Sequence, residues 1–253
     1  MKFVAEPMLK TLLEVYRIPV GKERFDAYMN ATIAGATRAQ DVACPPLVMA
    51  NPMAKVHANQ QLETWLELGA EEELVRILEE ANTTFSKLEF EVLVHVGLTL
   101  VDDLKGGWTD SILTDWGLRF PEKINPKWVC VPLWTKYPQT LEILRTNTKM
   151  AVGRFVWQTQ HGTPSTLREM LAQEGYAQAF AGEKVGMPRE DLAYTQAVLE
   201  PLLEHTDKPT LLAALYGDDA AKHVGYPVLG LSDNAGLELA LAQRQGSSII
   251  IPF

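Results

Sequence analysis

The chain has 253 residues, 47% of them hydrophobic and 22% charged, so it can bury a sizeable core and has an ordinary globular composition. Its formal net charge of −9 argues against a nucleic-acid partner, because phosphate binding needs clustered lysine and arginine. No window approaches the roughly 18 uninterrupted apolar residues of a membrane span, and the N-terminus lacks the apolar core of a secretory signal. We therefore expect a soluble, cytoplasmic protein with no membrane partner.

Helical periodicity dominates the first third of the chain. Apolar side chains recur at helical spacing in residues 7–17, 22–33, 55–68 and 71–85. Before the third of these helices, residues 47–50 form a short apolar run that stops at Asn51-Pro52. This run is predicted to be a buried strand.

Residues 88–101 alternate with a period of two, which predicts a long strand. One face of this strand is apolar throughout. The other face, which includes His95 and Thr99, is mixed, so it is predicted to be either solvated or the wall of a wet concavity. Residues 128–134 predict another strand, and Pro132 favours a position at the sheet edge.

The remaining chain is predicted to be mostly helical, with a long helix at 138–159 and a final β-branched strand. We expect a helix-rich α+β or mixed α/β fold, with 1–253 as a single domain and helices covering a small sheet mainly on one face. A seam between an α/β part and a helical C-terminal part is expected near 182–188, if there is one. The sheet of about four strands is predicted near 47–50, 88–101, 128–134 and 248–251.

The order of the first predicted strand, the helices of 55–85 and the strand 88–101 is that of a βαβ unit, and if it is one, the two strands are parallel. Their carboxyl ends would share one edge of the sheet, where ligands bind in open α/β folds. That edge would bring residues 51–57 near 102–110, and near Thr135-Lys136 after the next strand. The mixed face of strand 88–101 weakens this interpretation and fits helices gathered on one face of a mixed sheet better.

The loop 102–110 carries residue types that suit a binding site. Asp102 and Asp103 could bind a divalent metal or act as a general base. Lys105 could contact an anionic group, and Gly106-Gly107 permit a close approach of the backbone to a ligand. The alternative is a turn that the aspartates cap and the glycines bend.

The segment 51–57 is the second candidate. Asn51 could cap a helix that has Pro52 at its first position. Lys55 and His57 would then occupy the first turn, where the helix dipole disfavours cations. An anionic partner or ligand would explain why both residues are found there.

A third candidate lies on the long helix, where Arg154 and Gln158 share a face and His161 follows at the helix end. These groups could hold an anionic ligand. The alternative is a structural role, because the helix dipole favours a histidine at the C-terminus and ordinary surface charge explains the arginine.

Cysteines and tryptophans give weaker signals. Cys44 and Cys130 form no CxxC pair and are predicted to be buried thiols. Aromatic density between residues 108 and 157 predicts a pocket wall, an interface or simply core. The tryptophans of this region are Trp108, Trp116, Trp128, Trp134 and Trp157.

The leading prediction is an enzyme-like small-molecule site at loops 51–57 and 102–110, which binds an anionic ligand with or without a divalent metal. Two alternatives remain open: a non-catalytic interaction protein that forms a homo-oligomer or binds a partner through the Trp-rich region 108–157, and a ligand-binding sensor without turnover. The catalytic candidates are Asp102, Asp103, His57 and His161, and the two aspartates are also the candidate metal ligands. The candidate substrate-binding residues are Asn51, Lys55, Lys105, Gly106, Gly107, Trp108 and Arg154.

Overall fold

The computed structural model describes residues 1–33, 45–88, 92–104 and 109–246. Several predicted features lie outside these ranges. They are Cys44, residues 89–91 of the strand predicted at 88–101, the final strand predicted near 248–251, and the loop residues Lys105, Gly106, Gly107 and Trp108.

The helices predicted at 7–17, 22–33, 55–68, 71–85 and 138–159 agree closely with observed ones, whereas the helix at 111–119 was not predicted. The strands in the described ranges are β1 (Lys2–Glu6), β2 (Leu93–Val101) and β3 (Trp128–Trp134). The first helices are α1 (Met8–Arg17), α2 (Lys22–Ile33), α3 (Val56–Glu67), α4 (Ala70–Thr84), α5 (Ser111–Arg119) and α6 (Leu141–His161). The later helices are α7 (Leu167–Ala181), α8 (Arg189–Leu199), α9 (Lys208–Tyr216), α10 (Asp218–His223) and α11 (Ala235–Arg244), and two 3₁₀ helices span Pro45–Met49 and Glu200–Leu202.

The predicted helix-rich mixed α/β fold with a small sheet is confirmed, although the described sheet has three strands rather than about four. The predicted strand near 47–50 is wrong, because Pro45–Met49 forms a 3₁₀ helix. Its two prolines have a fixed φ and no backbone N–H, which favours a tight turn over a ladder of hydrogen bonds. The first strand of the sheet is instead β1, which the sequence did not suggest.

The sheet has the order β1-β2-β3, and both neighbouring pairs are parallel. Parallel pairing was predicted, but it starts from β1 rather than from residues 47–50. The last residue of β2, Val101, lies opposite the last residue of β3, Trp134. The chain therefore leaves both strands side by side at one edge of the sheet.

The two faces of β2 differ in burial. The apolar face is buried along its whole described length, at Val94, Val96, Leu98 and Leu100. On the other face His95 is partly exposed, whereas Thr99 and Val101 are buried. Gly97 marks the change, since a Cβ built there would lie 2.7 Å from Met8 Cγ and 2.9 Å from Pro46 Cγ. This close approach of α1 and the first 3₁₀ helix covers the carboxyl half of that face.

The chain folds into two compact units. The first contains Met1–Ser111 and Asn125–Ala151, and the second contains Ile112–Ile124 and Val152–Phe253. Residues 182–188 fall within the second unit, and the single domain with a seam there remains a prediction. No helix in the described part of the chain is both long and apolar enough to cross a membrane.

Candidate functional site

The parallel register of β2 and β3 places two loops together in the first unit. Beyond the paired ends of the strands, the Thr135 backbone N–H donates to the Val101 carbonyl at 3.1 Å and continues the ladder. The Asp103 backbone N–H then donates to Thr135 Oγ1, also at 3.1 Å. Asp102 and Asp103 thus stand beside Thr135 and Lys136 because β2 and β3 are parallel, although the βαβ unit predicted to start at 47–50 is not formed.

Asp102 is the centre of this arrangement. The residue is only 5% exposed. Its carboxylate accepts hydrogen bonds from His57 Nε2 at 3.1 Å and from Asn51 Nδ2 at 3.4 Å, and Thr135 Oγ1 lies 3.4 Å from its Oδ1. Two chain segments that are distant in the sequence, residues 51–57 and Thr135, therefore converge on the buried carboxylate of Asp102.

Asp103 is occupied by a different set of partners. Its side chain is 1% exposed. Its Oδ1 accepts from Thr135 Oγ1 at 3.1 Å and from the Lys136 backbone N–H at 3.2 Å, and its Oδ2 lies 3.2 Å from Lys136 Nζ. Lys136 Nζ also donates to Ser111 Oγ at 2.6 Å. The two adjacent carboxylates are thus joined by one hydroxyl and face different neighbours.

The segment 51–57 begins with a turn rather than a helix. Asn51 Oδ1 accepts from the Met53 backbone N–H at 2.9 Å, and the Asn51 carbonyl accepts from Ala54 N–H at 3.1 Å. Helix α3 starts only at Val56, with Lys55 as its N-cap residue. Contrary to the prediction, Asn51 does not cap this helix. Its side chain instead accepts a hydrogen bond within the turn and donates one to Asp102.

Two buried side chains hold this turn against the first helices. The Tyr16 hydroxyl donates to the Asn51 carbonyl at 2.6 Å, and the Arg24 guanidinium donates to the Ala54 carbonyl at 3.0 Å and to the Tyr16 carbonyl at 2.7 Å. Burial and the nearby Asp102 charge raise the pKa of Tyr16, which keeps it a hydrogen-bond donor. Sequence reasoning missed both residues, since neither a tyrosine nor an arginine in an amphipathic helix signals a distant contact.

His57 faces both the carboxylate and solvent. Its side chain is 33% exposed, and its Nδ1 has no hydrogen-bond partner among the described residues. The backbone N–H groups of Val56 and His57, at the positive end of α3, likewise make no hydrogen bond within the described ranges. Lys55 is exposed beside them, and no described residue pairs with its ammonium group. Asp102 is thus the anionic partner that the position of His57 suggested.

The third candidate cluster has an internal partner in the second unit. Arg154 donates to both oxygens of Glu174, at 2.8 and 2.9 Å, and Arg119 Nη1 donates to the same carboxylate at 2.6 Å. The Glu174 side chain is completely buried. Burial would raise the pKa of Glu174, but the two arginines outweigh it and lower this pKa to about 2. The anion held by Arg154 is therefore a protein carboxylate, which sequence reasoning did not identify.

His161, the last residue of α6, also uses local contacts. Its ring stacks on Trp157 with the centroids 4.5 Å apart, and its Nδ1 hydrogen bonds to the Trp157 carbonyl at 2.9 Å. The described contacts of His161 and Arg154 thus belong to the second unit, whereas those of Asn51, His57, Asp102 and Asp103 belong to the first.

The predicted metal ligands, Cys130 and four of the five tryptophans between 108 and 157 lie among the described residues. In the described ranges, no group of three or more His, Cys, Asp or Glu residues is placed to hold a metal ion. Cys130 is partly buried, and burial raises the pKa of its thiol to about 12. Trp116, Trp134 and Trp157 are buried, and Trp128 is partly exposed.

Comparison of the chain with protein-family models, with curated proteins and with solved structures gives no match in any of the three.

Proposed function

We propose that the protein binds a small polar molecule at the carboxyl edge of its parallel sheet, where His57, oriented by Asp102, exchanges a proton with it. One observation carries this proposal: Asn51, His57 and Thr135 converge on the buried carboxylate of Asp102. Buried carboxylates that orient a partly exposed imidazole are typical of acid–base sites.

The orientation of the ring supports this role. A carboxylate only accepts hydrogen bonds, so Asp102 favours the tautomer of His57 that carries its proton on Nε2. Nδ1 then has a lone pair, and no described residue occupies it. A ligand donor that reached Nδ1 could transfer its proton there, and Asp102 would stabilise the resulting imidazolium.

Charge supports an anionic ligand. Lys55 and the first N–H groups of α3 lie in sequence beside His57 and have no described partner. An anionic group near the start of α3 would be favoured by the helix dipole and by the lysine. Arg154 is not needed for this role, because its guanidinium binds Glu174. Roles for Lys105, Gly106, Gly107 and Trp108 remain predictions.

The other hypotheses have less support. A divalent metal on Asp102 and Asp103 stays a prediction. It has less support because the metal would have to displace His57 and Asn51 from Asp102, and Thr135 and Lys136 from Asp103. A sensor without turnover would use the same site. The burial of three of the four described tryptophans between 108 and 157 offers little support for an aromatic interface, and homo-oligomerisation and a cytoplasmic location stay predictions.

The first prediction concerns thermal unfolding of the EDTA-treated protein with separate additions of inorganic phosphate, citrate, acetate, Mg²⁺, Mn²⁺ and Zn²⁺. A ligand present at about 100 times its dissociation constant that binds only the folded state adds about 2.7 kcal/mol. We expect an anionic probe to raise the unfolding midpoint by several degrees. The shift should disappear in His57→Gln, because the ligand contacts the ring directly.

The matched control is His205→Gln, which alters an exposed histidine paired with Asp207 in the second unit. An anion shift that is retained in the control and lost in His57→Gln supports the proposed site. An equal shift in both variants places the ligand elsewhere and contradicts it. A shift with a metal alone that is abolished by Asp102→Asn or Asp103→Asn would favour the metal site instead.

A further inference from the structure

We infer that Thr135 is a positioning residue for the His57–Asp102 pair and links that pair to Lys136 and Ser111. The inference rests on the proposed function, since it concerns the group that adjusts how Asp102 holds His57. Thr135 is 4% exposed and stands between the two carboxylates at the end of β3. Its hydroxyl is the contact common to both of them.

The Thr135 hydroxyl has two carboxylate acceptors within reach but only one proton to donate. Thr135 Oγ1 accepts from the Asp103 backbone N–H at 3.1 Å, and it lies 3.1 Å from Asp103 Oδ1 and 3.4 Å from Asp102 Oδ1. A threonine hydroxyl carries a single proton, so it donates fully to only one carboxylate at a time. Both distances are within hydrogen-bond reach, so the proton is shared between the two carboxylates, and the shorter distance gives Asp103 the larger share.

This choice matters to His57 because both donors use the same atom. Asp102 Oδ1 accepts from His57 Nε2, and it is also the oxygen that lies near Thr135. A hydrogen bond from the Thr135 hydroxyl to this oxygen weakens the oxygen as an acceptor for the imidazole. A hydrogen bond from Thr135 to Asp103 instead leaves Oδ1 to His57 and strengthens the hydrogen bond between His57 and Asp102.

Lys136 influences which of the two carboxylates accepts the hydrogen bond from Thr135. Its ammonium group lies 3.2 Å from Asp103 Oδ2 and is also held by Ser111 Oγ at 2.6 Å. This cation weakens the attraction of Asp103 for the Thr135 proton. Removal of the cation would make Asp103 the stronger acceptor and would release Asp102 Oδ1 to His57. A substitution of Lys136 therefore alters the strength of the His57–Asp102 hydrogen bond through the Thr135 hydroxyl.

The experiment follows the Nε2-bound proton of His57 by NMR in protein with ¹⁵N-labelled histidine, at one fixed pH. The chain has five histidines, and His57→Gln assigns the signal. A hydrogen bond to Asp102 should protect this proton from exchange and move its resonance downfield. Thr135→Val removes the competing donor, so we expect a further downfield shift, and Thr135→Ser should restore the wild-type position.

Lys136→Met tests the link. We expect it to shift the His57 resonance downfield in the wild-type background and to have no effect when Thr135→Val is already present. The matched control is Thr64→Val, which removes a hydroxyl that bonds only within α3, to the Gln60 carbonyl. This control should leave the resonance unchanged. Should Thr135→Val fail to fold, Thr135→Ala takes its place.

Two results overturn the inference: an unchanged His57 resonance in Thr135→Val, or an effect of Lys136→Met that persists in that background and so acts directly through space. Wild-type protein without a protected His57 proton would contradict the His57–Asp102 pair, and with it both the proposed function and this inference. The expected NMR pattern together with no unfolding shift from any probe would establish the role of Thr135 and reject the proposed ligand site.

Discussion

At the scale of single residues, buried charges in the described part of the chain are compensated by an opposite charge or by hydrogen bonds, as at Arg24, which donates to backbone carbonyls. Glu174 is the clearest example, because its carboxylate receives two arginines in a region that excludes water. Gln173 Nε2 adds a hydrogen bond to the same carboxylate at 3.1 Å. Loss of one partner from such a pair leaves the remaining charges buried without compensation.

We predict that Glu174→Gln lowers the free energy of unfolding by about 3–5 kcal/mol, because Arg154 loses the carboxylate that accepts two of its hydrogen bonds and Arg119 is left with its ion pair to Asp115. The measurement is urea-induced unfolding of purified protein. The control is Glu204→Gln, whose carboxylate pairs with Arg168 but is 72% exposed. Exposed ion pairs contribute about 1 kcal/mol or less, so a similar loss in both variants would refute the prediction.

Some residues of the candidate site could be identified from the sequence, and others could not. Asn51 and Asp102 follow the ends of elements, His57 lies in the first turn of α3, and all three carry functional groups, so position and chemistry identified them. Thr135 was placed near this edge but given no role, because a threonine after a strand is chemically unremarkable until its two carboxylate neighbours are known.

At the scale of elements, close packing of helices depends on particular glycines. Helices α7 and α11 meet in the second unit, where a Cβ built on Gly175 would lie 2.4 Å from the Ala240 carbonyl oxygen. A backbone atom cannot swing aside as the end of a flexible side chain can. The two helix backbones would therefore have to separate to admit even a methyl group.

We predict that Gly175→Ala destabilises the protein by about 1–3 kcal/mol, although alanine is the better helix former. The matched control is Gly117→Ala in α5, where a Cβ would meet no atom within 4 Å. We expect that control to be neutral or stabilising by up to about 1 kcal/mol. Thermal unfolding of both variants tests this, and stabilisation by Gly175→Ala would contradict the close contact.

Periodicity also explains which elements were predictable. The bounds of α2 and β3 match the predicted segments. Strand β3 buries Val129, Val131 and Leu133 at the period of two that predicted it, whereas α2 buries positions at helical spacing although its Phe25 is 45% exposed. The run 47–50 is too short for its period to separate a strand from a turn of helix. The strand β1 has only five residues, and at its edge the side chain of Asn82 pairs with the Phe3 backbone N–H and carbonyl. That substitute for a neighbouring strand leaves no pattern in the sequence.

At the scale of the whole molecule, stability should depend on acid pH. The pKa of Glu174 in the folded protein is about 2, below its ordinary value of 4.5. A lowered pKa contributes stability that is fully present above the unfolded value and is lost as the pH falls through the folded one. This carboxylate therefore helps to make the free energy of unfolding decrease between about pH 4.5 and pH 2.

We predict that Glu174→Gln makes this decrease shallower, since the variant has no proton to bind at that position. The free energy of unfolding of wild-type protein, Glu174→Gln and Glu204→Gln should be compared by urea unfolding at several pH values across this interval. The control should keep the wild-type slope. Parallel curves for wild-type protein and Glu174→Gln would show that the carboxylate is not held ionised as its contacts imply.

The sequence by itself determined the helix-rich character of the protein, the bounds of α1 to α4 and α6 to within a few residues, and the two main strands near 88–101 and 128–134. These features follow from local periodicity, which records the side of each element that is buried. Only the tertiary structure decided that Asn51, His57 and Thr135 share Asp102, and that Arg154 is committed to Glu174. Such contacts join residues far apart in the chain, and strand register and helix packing, rather than local pattern, bring them within hydrogen-bonding distance.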